Sequence, residues 1–429
     1  MIGKSNGNGG RMTGRGLVLA VMMPALAWAP AALAGPALDA CAAEAASQFE
    51  PGFAEIGKDS WTMDTVAAIA ACKKALSAEP DSAQVKGWLA RAYFAAGDSA
   101  LALPLFEAAA EDGNALALAI LGDMLTTGDG VPQDMERGAQ LLRQGAEAGF
   151  ALAQNSLGLS YDFGEGVAQD YDEAARWYRA AAEQGMSKGQ SNLGLMYQDG
   201  LGVPQDYVAA AAWFEKSAAQ GDPSGQANLG ILLQDGLGQK ADPERAAELY
   251  RLAAEQGDMY GQNNLGSLYE NGIGVEEDLA RAAELYQQAA DQDMPLAKHN
   301  LALLYEDGRG VKQDYVRALR LYTQAAEGGE MRAAVNLGLL YMDGKGTDVD
   351  YEAALKWTQL AADANQPVGL NNMGYIYEHG LGVTANRQTA MDYYQRSADE
   401  GYELASENLV RLSKEQTGQG GGGTKTKTK

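Results

Sequence analysis

The chain of 429 residues carries 57 acidic against 33 basic residues, a formal net charge of −24. That balance excludes the basic stripe by which proteins grip nucleic acid, and it disfavours anionic membrane surfaces. Any charge-driven partner is cationic. Six of the basic residues (Lys4, Arg11, Arg15, Lys425, Lys427, Lys429) lie in the terminal segments, so the middle of the chain is more acidic still.

In residues 1–34, Lys4, Arg11 and Arg15 precede an apolar stretch from Leu17 to Ala32, and Ala32-Leu33-Ala34 offers small residues at a cleavage site. This layout predicts a secretory signal peptide cleaved after Ala34, with Met12 an alternative start, and a periplasmic or secreted product. A membrane anchor is the competing reading; Pro24 and Pro30 interrupt the segment, and its apolar run is short for a span. Acylation at Cys41 fits poorly because Asp39 lies in the motif. No other segment approaches spanning length, which predicts no stable membrane insertion after cleavage.

Residues 35–63 are expected to form an N-terminal segment, irregular over 41–62. Cys41 and Cys72 are the two cysteines of the chain. In an exported protein they read as a disulfide tying that segment to the first helix; two buried thiols are the alternative. Residues 64–114 predict helical hairpins, with a helix over Ala68–Leu76 followed by Pro80 and a further pair over 82–112.

From residue 115 to 401 one pattern recurs every 36 residues, eight times. Gly122, Gly158, Gly194, Gly230, Gly266, Gly338 and Gly374 occupy one column, with Ala302 as its exception. A fixed period of this size means stacked supersecondary units rather than one compact core. In residues 185–220, Gly189, Leu193, Gly194 and Tyr197 recur at helical spacing, Gly200-Leu201-Gly202-Val203 interrupts, and a second helix follows Asp206 through Ala210, Trp213, Phe214 and Ala218 to Gly221. Asp206 sits where an N-cap is needed, Gly200 and Gly221 where helices end. The unit is therefore helix A, a glycine loop, helix B and a turn. Asp134, Asp170, Asp242, Asp278, Asp314, Asp350 and Asn386 repeat the cap, while Asp293 and Asn365 replace the closing glycine. Residues 402–412 read as one more helix A that caps the stack, with Val410 in the glycine column. Residues 413–429 are rich in Gly, Thr and Lys and predict a disordered tail.

The pattern Leu193-Gly194, Tyr197, Gly200, Gly202-Val203, Ala210, Trp213, Ala218, Gly221 resembles the Sel1-like repeat, a relative of the tetratricopeptide repeat. Residues 64–114, whose period is shorter by the glycine loop, resemble tetratricopeptide hairpins. The resemblance implies an all-α, right-handed α-α superhelical solenoid with helix A on the concave face. It implies a protein-binding scaffold or regulator. Relatives include periplasmic inhibitors of membrane sensor kinases, cell-envelope assembly factors and secreted proteins that engage host cells.

One helix-A column carries Asn192, Asn228, Asn264, Asn300, Asn336, Asn372 and Asn408, although asparagine is a mediocre helix former. The resemblance implies a ladder that holds the backbone of an extended client; the alternative is that each amide satisfies a loop carbonyl of the adjacent repeat. Near the end of helix A come Asp162, Asp199, Asp235, Glu270, Glu306, Asp307, Asp343 and Glu378. They oppose the helix macrodipole. They predict an acidic lip along the groove and a basic protein or peptide as its ligand.

Enzyme readings are weak. His299 and His379 are the only histidines and have no nearby ligand set. The Gly-x-Gly loops follow a helix and lack the lysine of a phosphate loop. Neither a catalytic residue, a metal ligand nor a cofactor is predicted. Cell-wall or β-lactam hydrolysis, proposed for cysteine-rich relatives, would need a nucleophile and base that the sequence does not show.

Overall fold

The structure is a computed structural model describing residues 35–50, 53, 57, 58 and 62–416. The expected signal peptide and the last thirteen residues of the expected tail lie outside the described residues. All regular structure among the described residues is α-helical, in 21 helices that follow one another as antiparallel pairs. Two compact units divide the chain between Ala117 and Leu118.

The first unit holds α1 (Pro36–Ala45), α2 (Thr65–Ala78), α3 (Ala83–Ala95) and α4 (Ser99–Glu111). The side chains of Asp64, Ser82 and Asp98 cap α2, α3 and α4 by accepting backbone N–H bonds in the first turn. Cys41 of α1 and Cys72 of α2 are joined by a disulfide, and both are fully buried. The chain after α1 crosses α3, where Arg91 Nη1 donates to the carbonyls of Ala45 (3.0 Å) and Ala46 (2.9 Å) and Nη2 to that of Lys58. Glu50 is buried there, with its carboxylate accepting from Trp88 Nε1 (3.0 Å), Gln84 Nε2 (2.5 Å) and the Ser47 N–H (2.6 Å). Burial pushes the Glu50 carboxyl above its ordinary range, and these donors and Arg91 oppose the shift.

In the second unit helices A and B alternate, each 13 residues long from Met135 to Asp399. The third repeat is typical, with helix A over Ser187–Asp199 and helix B over Tyr207–Ala219. Asp206 Oδ1 accepts from Val208 and Ala209 at 3.0 Å, and the same cap recurs down the column to Asn386. The glycine column exists because helix B lays a ring on the helix-A backbone. A Cβ at Gly158, Gly194, Gly230, Gly266 or Gly374 would meet the ring of Tyr178, Phe214, Tyr250, Tyr286 or Tyr394. Those five rings are at most 1% exposed, each burial being worth about 1.5–3 kcal/mol. Asp293 and Asn365, at φ 64° and 54°, are the only non-glycine residues among the described ones in the left-handed region, occupying the turn that glycine closes elsewhere. The terminal helix, Glu403–Gln416, runs past residue 412, where the sequence reading ends it; Ser413 Oγ bonds the Leu409 carbonyl at 2.8 Å.

Candidate interaction face

In each helix A of the array, the positions of Lys188, Asn192, Leu195 and Asp199 are spaced i, i+4, i+7 and i+11, and so line one face. Both candidate columns fall on or beside this face.

Six of the seven asparagines are tied into the stack. Asn192 Nδ2 donates to Asn155 Oδ1, Asn300 Nδ2 to Asn263 and Asn408 Nδ2 to Asn371, each at 3.0 Å and each reaching the preceding repeat. Asn263 and Asn371 donate in turn to Asn264 (3.1 Å) and Asn372 (3.3 Å). Asn264 and Asn336 also bond the hydroxyls of Tyr250 and Tyr322 in the preceding helix B. Asn372 and Asn408 are buried; the other five are half-buried, which leaves amide edge on the face.

The acidic residues form two columns, one position apart. Asp162, Glu270, Glu306 and Glu378 are half-buried and accept the hydroxyl of Tyr178 (3.1 Å), Tyr286 (2.8 Å), Tyr322 (2.7 Å) and Tyr394 (2.8 Å), sixteen residues on in helix B. Gln234 does the same for Tyr250 at 3.2 Å. Burial first, and then the adjacent carboxylate, push these tyrosines well above their ordinary range, so they stay protonated and donate. Asp199, Asp235, Asp307 and Asp343 are exposed at the ends of their helices. These four are the members of the acidic set that face solvent.

The tyrosine column was present in the sequence as a hydroxyl-bearing residue sixteen positions after an acid or amide, and sequence reasoning passed it over. It also missed a glutamine ladder. Gln184, Gln220, Gln256 and Gln292 donate to Gln154, Gln190, Gln226 and Gln262, thirty residues earlier, at 2.7–2.9 Å. A third missed feature is α3. Aligning Ala90 with the glycine column puts Gln84, Trp88 and Arg91 in register with Lys188, Asn192 and Leu195. These are the residues that hold the crossing segment, and the ring of Phe53 meets that of Trp88 edge-on, 5.2 Å between centroids. The first unit's helix-A face thus already grips a stretch of chain through its carbonyls, one carboxylate and one ring.

His299 is buried against the ring of Tyr322, 5.6 Å between centroids; burial lowers its pKa to about 4, so the imidazole is neutral. His379 stacks on Tyr375 and its Nδ1 lies 3.0 Å from that residue's carbonyl. Among the described residues no group of three or more His, Cys, Asp or Glu side chains is placed to hold a metal ion. No helix among them is long and apolar enough to cross a membrane.

Paired helices in a fixed register, joined by repeat-to-repeat amide bonds and presenting one continuous face, define a helical-repeat interaction protein. Family comparison gives the particular class. The Sel1 repeat model matches eight times, over 115–150, 151–186, 187–222, 223–258, 260–294, 295–330, 332–366 and 367–402, and the chain belongs to the Sel1 repeat family. A tetratricopeptide repeat model matches residues 64–122. A Sel1 repeat protein from Oxalobacter formigenes is similar at 31% identity and TM-score 0.51, over 72% of this chain and 90% of that one. A protective antigen of uropathogenic Escherichia coli with the same repeat fold is 28% identical, with TM-score 0.47, over 82% of this chain and 92% of that one. No curated protein sequence matched. Repeats of this family mediate protein–protein interaction, and the scaffold is typically non-enzymatic. The disulfide and the absence of a membrane-crossing helix among the described residues are compatible with export.

Proposed function

We propose that this protein is an exported scaffold or regulator that binds a partner protein, or an extended segment of one, along the helix-A face of its Sel1 array. The observation that carries the reading is α3, where Gln84, Trp88 and Arg91 hold the chain's own crossing segment at the register positions that face outward in the array. In the array the half-buried asparagines supply amide donors and acceptors for a client backbone. Asp199, Asp235, Asp307 and Asp343 supply an acidic margin, which favours a basic client and gives binding that weakens with salt. Its location is periplasmic or secreted, following the N-terminal signal pattern.

The test is crosslinked affinity capture from an envelope extract of the source cells, with the native protein beside a variant carrying Asp199→Asn, Asp235→Asn, Asp307→Asn and Asp343→Asn. These positions are exposed, so folding is retained, as circular dichroism would verify. A partner captured by the native protein and lost by the variant supports the reading. Equal capture by both removes the acidic margin from the interface.

A further inference from the structure

Across the array, each asparagine lies on a diagonal between two other positions of the same face. One is the residue after the glycine column in the preceding repeat, the other the residue four before the asparagine position in the following repeat. On four diagonals both flanks are apolar. Leu195 and Tyr260 flank Asn228, Ile231 and Leu296 flank Asn264, Leu303 and Val368 flank Asn336, and Leu339 and Leu404 flank Asn372. Tyr260 is 55% exposed, and the other seven flanking side chains are half-buried. Leu195, Ile231, Leu296, Leu303 and Val368 are packed against the core while keeping part of their surface open. Three diagonals differ: Asp123, Ser156 and Lys188 take the positions of the first, with Asp123 bonded to Ser156 and facing Lys188, Leu159 and Ser224 flank Asn192, and Ser267 and Arg332 flank Asn300. Exposed Asp199, Asp235, Asp307 and Asp343 run along the apolar stretch one turn away. In Asn372, fully buried between its two leucines in this register, Nδ2 has no hydrogen-bond partner.

We infer that the array from the third repeat to the terminal helix reads an extended peptide that alternates aliphatic with basic side chains, one aliphatic anchor for each apolar diagonal. This rests on the reading of the helix-A face as the binding face. The apolar flanks explain the aliphatic anchors, since burying such a side chain there removes water from both partners. The exposed carboxylates explain the basic ones. The spacing follows from geometry. Contacting helices lie about 8–10 Å apart and an extended chain advances about 3.3 Å per residue, which makes about three residues per repeat. The diagonals of Asn228 with Asn264 and of Asn336 with Asn372 form two apolar stretches, separated at Asn300 by Ser267 and Arg332.

The experiment is fluorescence anisotropy of three labelled fifteen-residue peptides, five copies each of Leu-Lys-Ser, Ser-Lys-Ser and Leu-Glu-Ser, titrated with the purified protein. The expected result is saturable binding of Leu-Lys-Ser, at least tenfold weaker binding of Ser-Lys-Ser, and no binding of Leu-Glu-Ser. Tyr260→Ala and Ile231→Thr should each weaken the Leu-Lys-Ser complex several-fold, while Asp123→Asn leaves it unchanged. Equal binding of Leu-Lys-Ser and Ser-Lys-Ser would overturn the aliphatic code yet keep a purely electrostatic acidic face. Binding of none of the three would overturn the inference, and a partner still lost with the aspartate variant in the capture experiment would then leave the broader reading standing.

Discussion

Tyr286 donates its hydroxyl hydrogen to Glu270, 2.8 Å away across the helix hairpin of one repeat, and Arg309 of the next repeat reaches the other carboxylate oxygen at 2.9 Å. One glutamate thereby joins helix A, helix B and the following loop. Its counterparts, Glu306 with Tyr322 and Glu378 with Tyr394, show that the half-buried acids of the array stabilise the stack. Glu306→Ala should therefore cost about 1–3 kcal/mol, because it leaves the buried Tyr322 hydroxyl hydrogen without its acceptor. Asp307→Ala, one residue on and exposed, should stay within about 0.5 kcal/mol. Urea unfolding of the two variants side by side checks this, and equal losses would contradict the division into two columns.

Two groups should give the array opposite pH slopes. Burial raises the Asp123 carboxyl to about 7 from its ordinary 3.8, against the bond from Ser156 and the charge of Lys188. A raised folded-state pKa means that the native state holds the proton more tightly, so this stability is present below about pH 4 and is lost as pH rises through 7. Burial lowers His299 to about 4 from 6.5, with Glu330 opposing and Arg332 adding to the shift. Its contribution is present above about pH 6.5 and is lost as pH falls through 4. Asp123→Asn should raise the melting temperature at pH 8 more than at pH 4. His299→Asn should protect it at pH 4.5 relative to pH 8. Thermal melts from pH 4 to 8 that keep their native shape in both variants would sink this assignment.

Reduction of the Cys41–Cys72 disulfide should destabilise the first unit by about 3–4 kcal/mol in the chain-entropy model, given the separation of 31 residues. Calorimetry with and without a phosphine reductant checks it. The transition of the first unit should move and the array's transition should not.

The loop glycines differ in what an alanine would cost. Gly221 has φ 83° with open space around it, whereas Gly202 has φ 63° and a Cβ there would fall on the Tyr171 carbonyl of the preceding repeat. Gly221→Ala should cost about 1–2 kcal/mol, the price of a left-handed L-residue. Gly202→Ala should cost more and separate two repeats. Partial proteolysis would show new cleavage near residue 202 in the second variant alone.

The helix pairs, their caps and the stack were legible in the sequence because a period of 36 exposes every structural column by repetition. The glycine column could be read as a helix position, but its partner ring could not, since Gly194 and Phe214 meet only once the hairpin closes. The candidate face was half legible. Asparagine and acid columns stood out by composition, but Asp162 and Asp199 look alike in sequence. Only packing shows that one meets Tyr178 and the other solvent. The grip of Arg91 on Ala45, Ala46 and Lys58 was not legible, because that segment has no repeat to be compared with.

The most direct test of the central claim is site-specific photocrosslinking in the source cells, with a benzophenone amino acid at Tyr260 on the helix-A face or at Val208 near the start of a helix B. Both side chains are more than half exposed, at 55% and 63%. The account predicts a discrete crosslinked partner from position 260 and none from position 208. A partner crosslinked from position 208 alone would place the interface off the helix-A face and contradict the account.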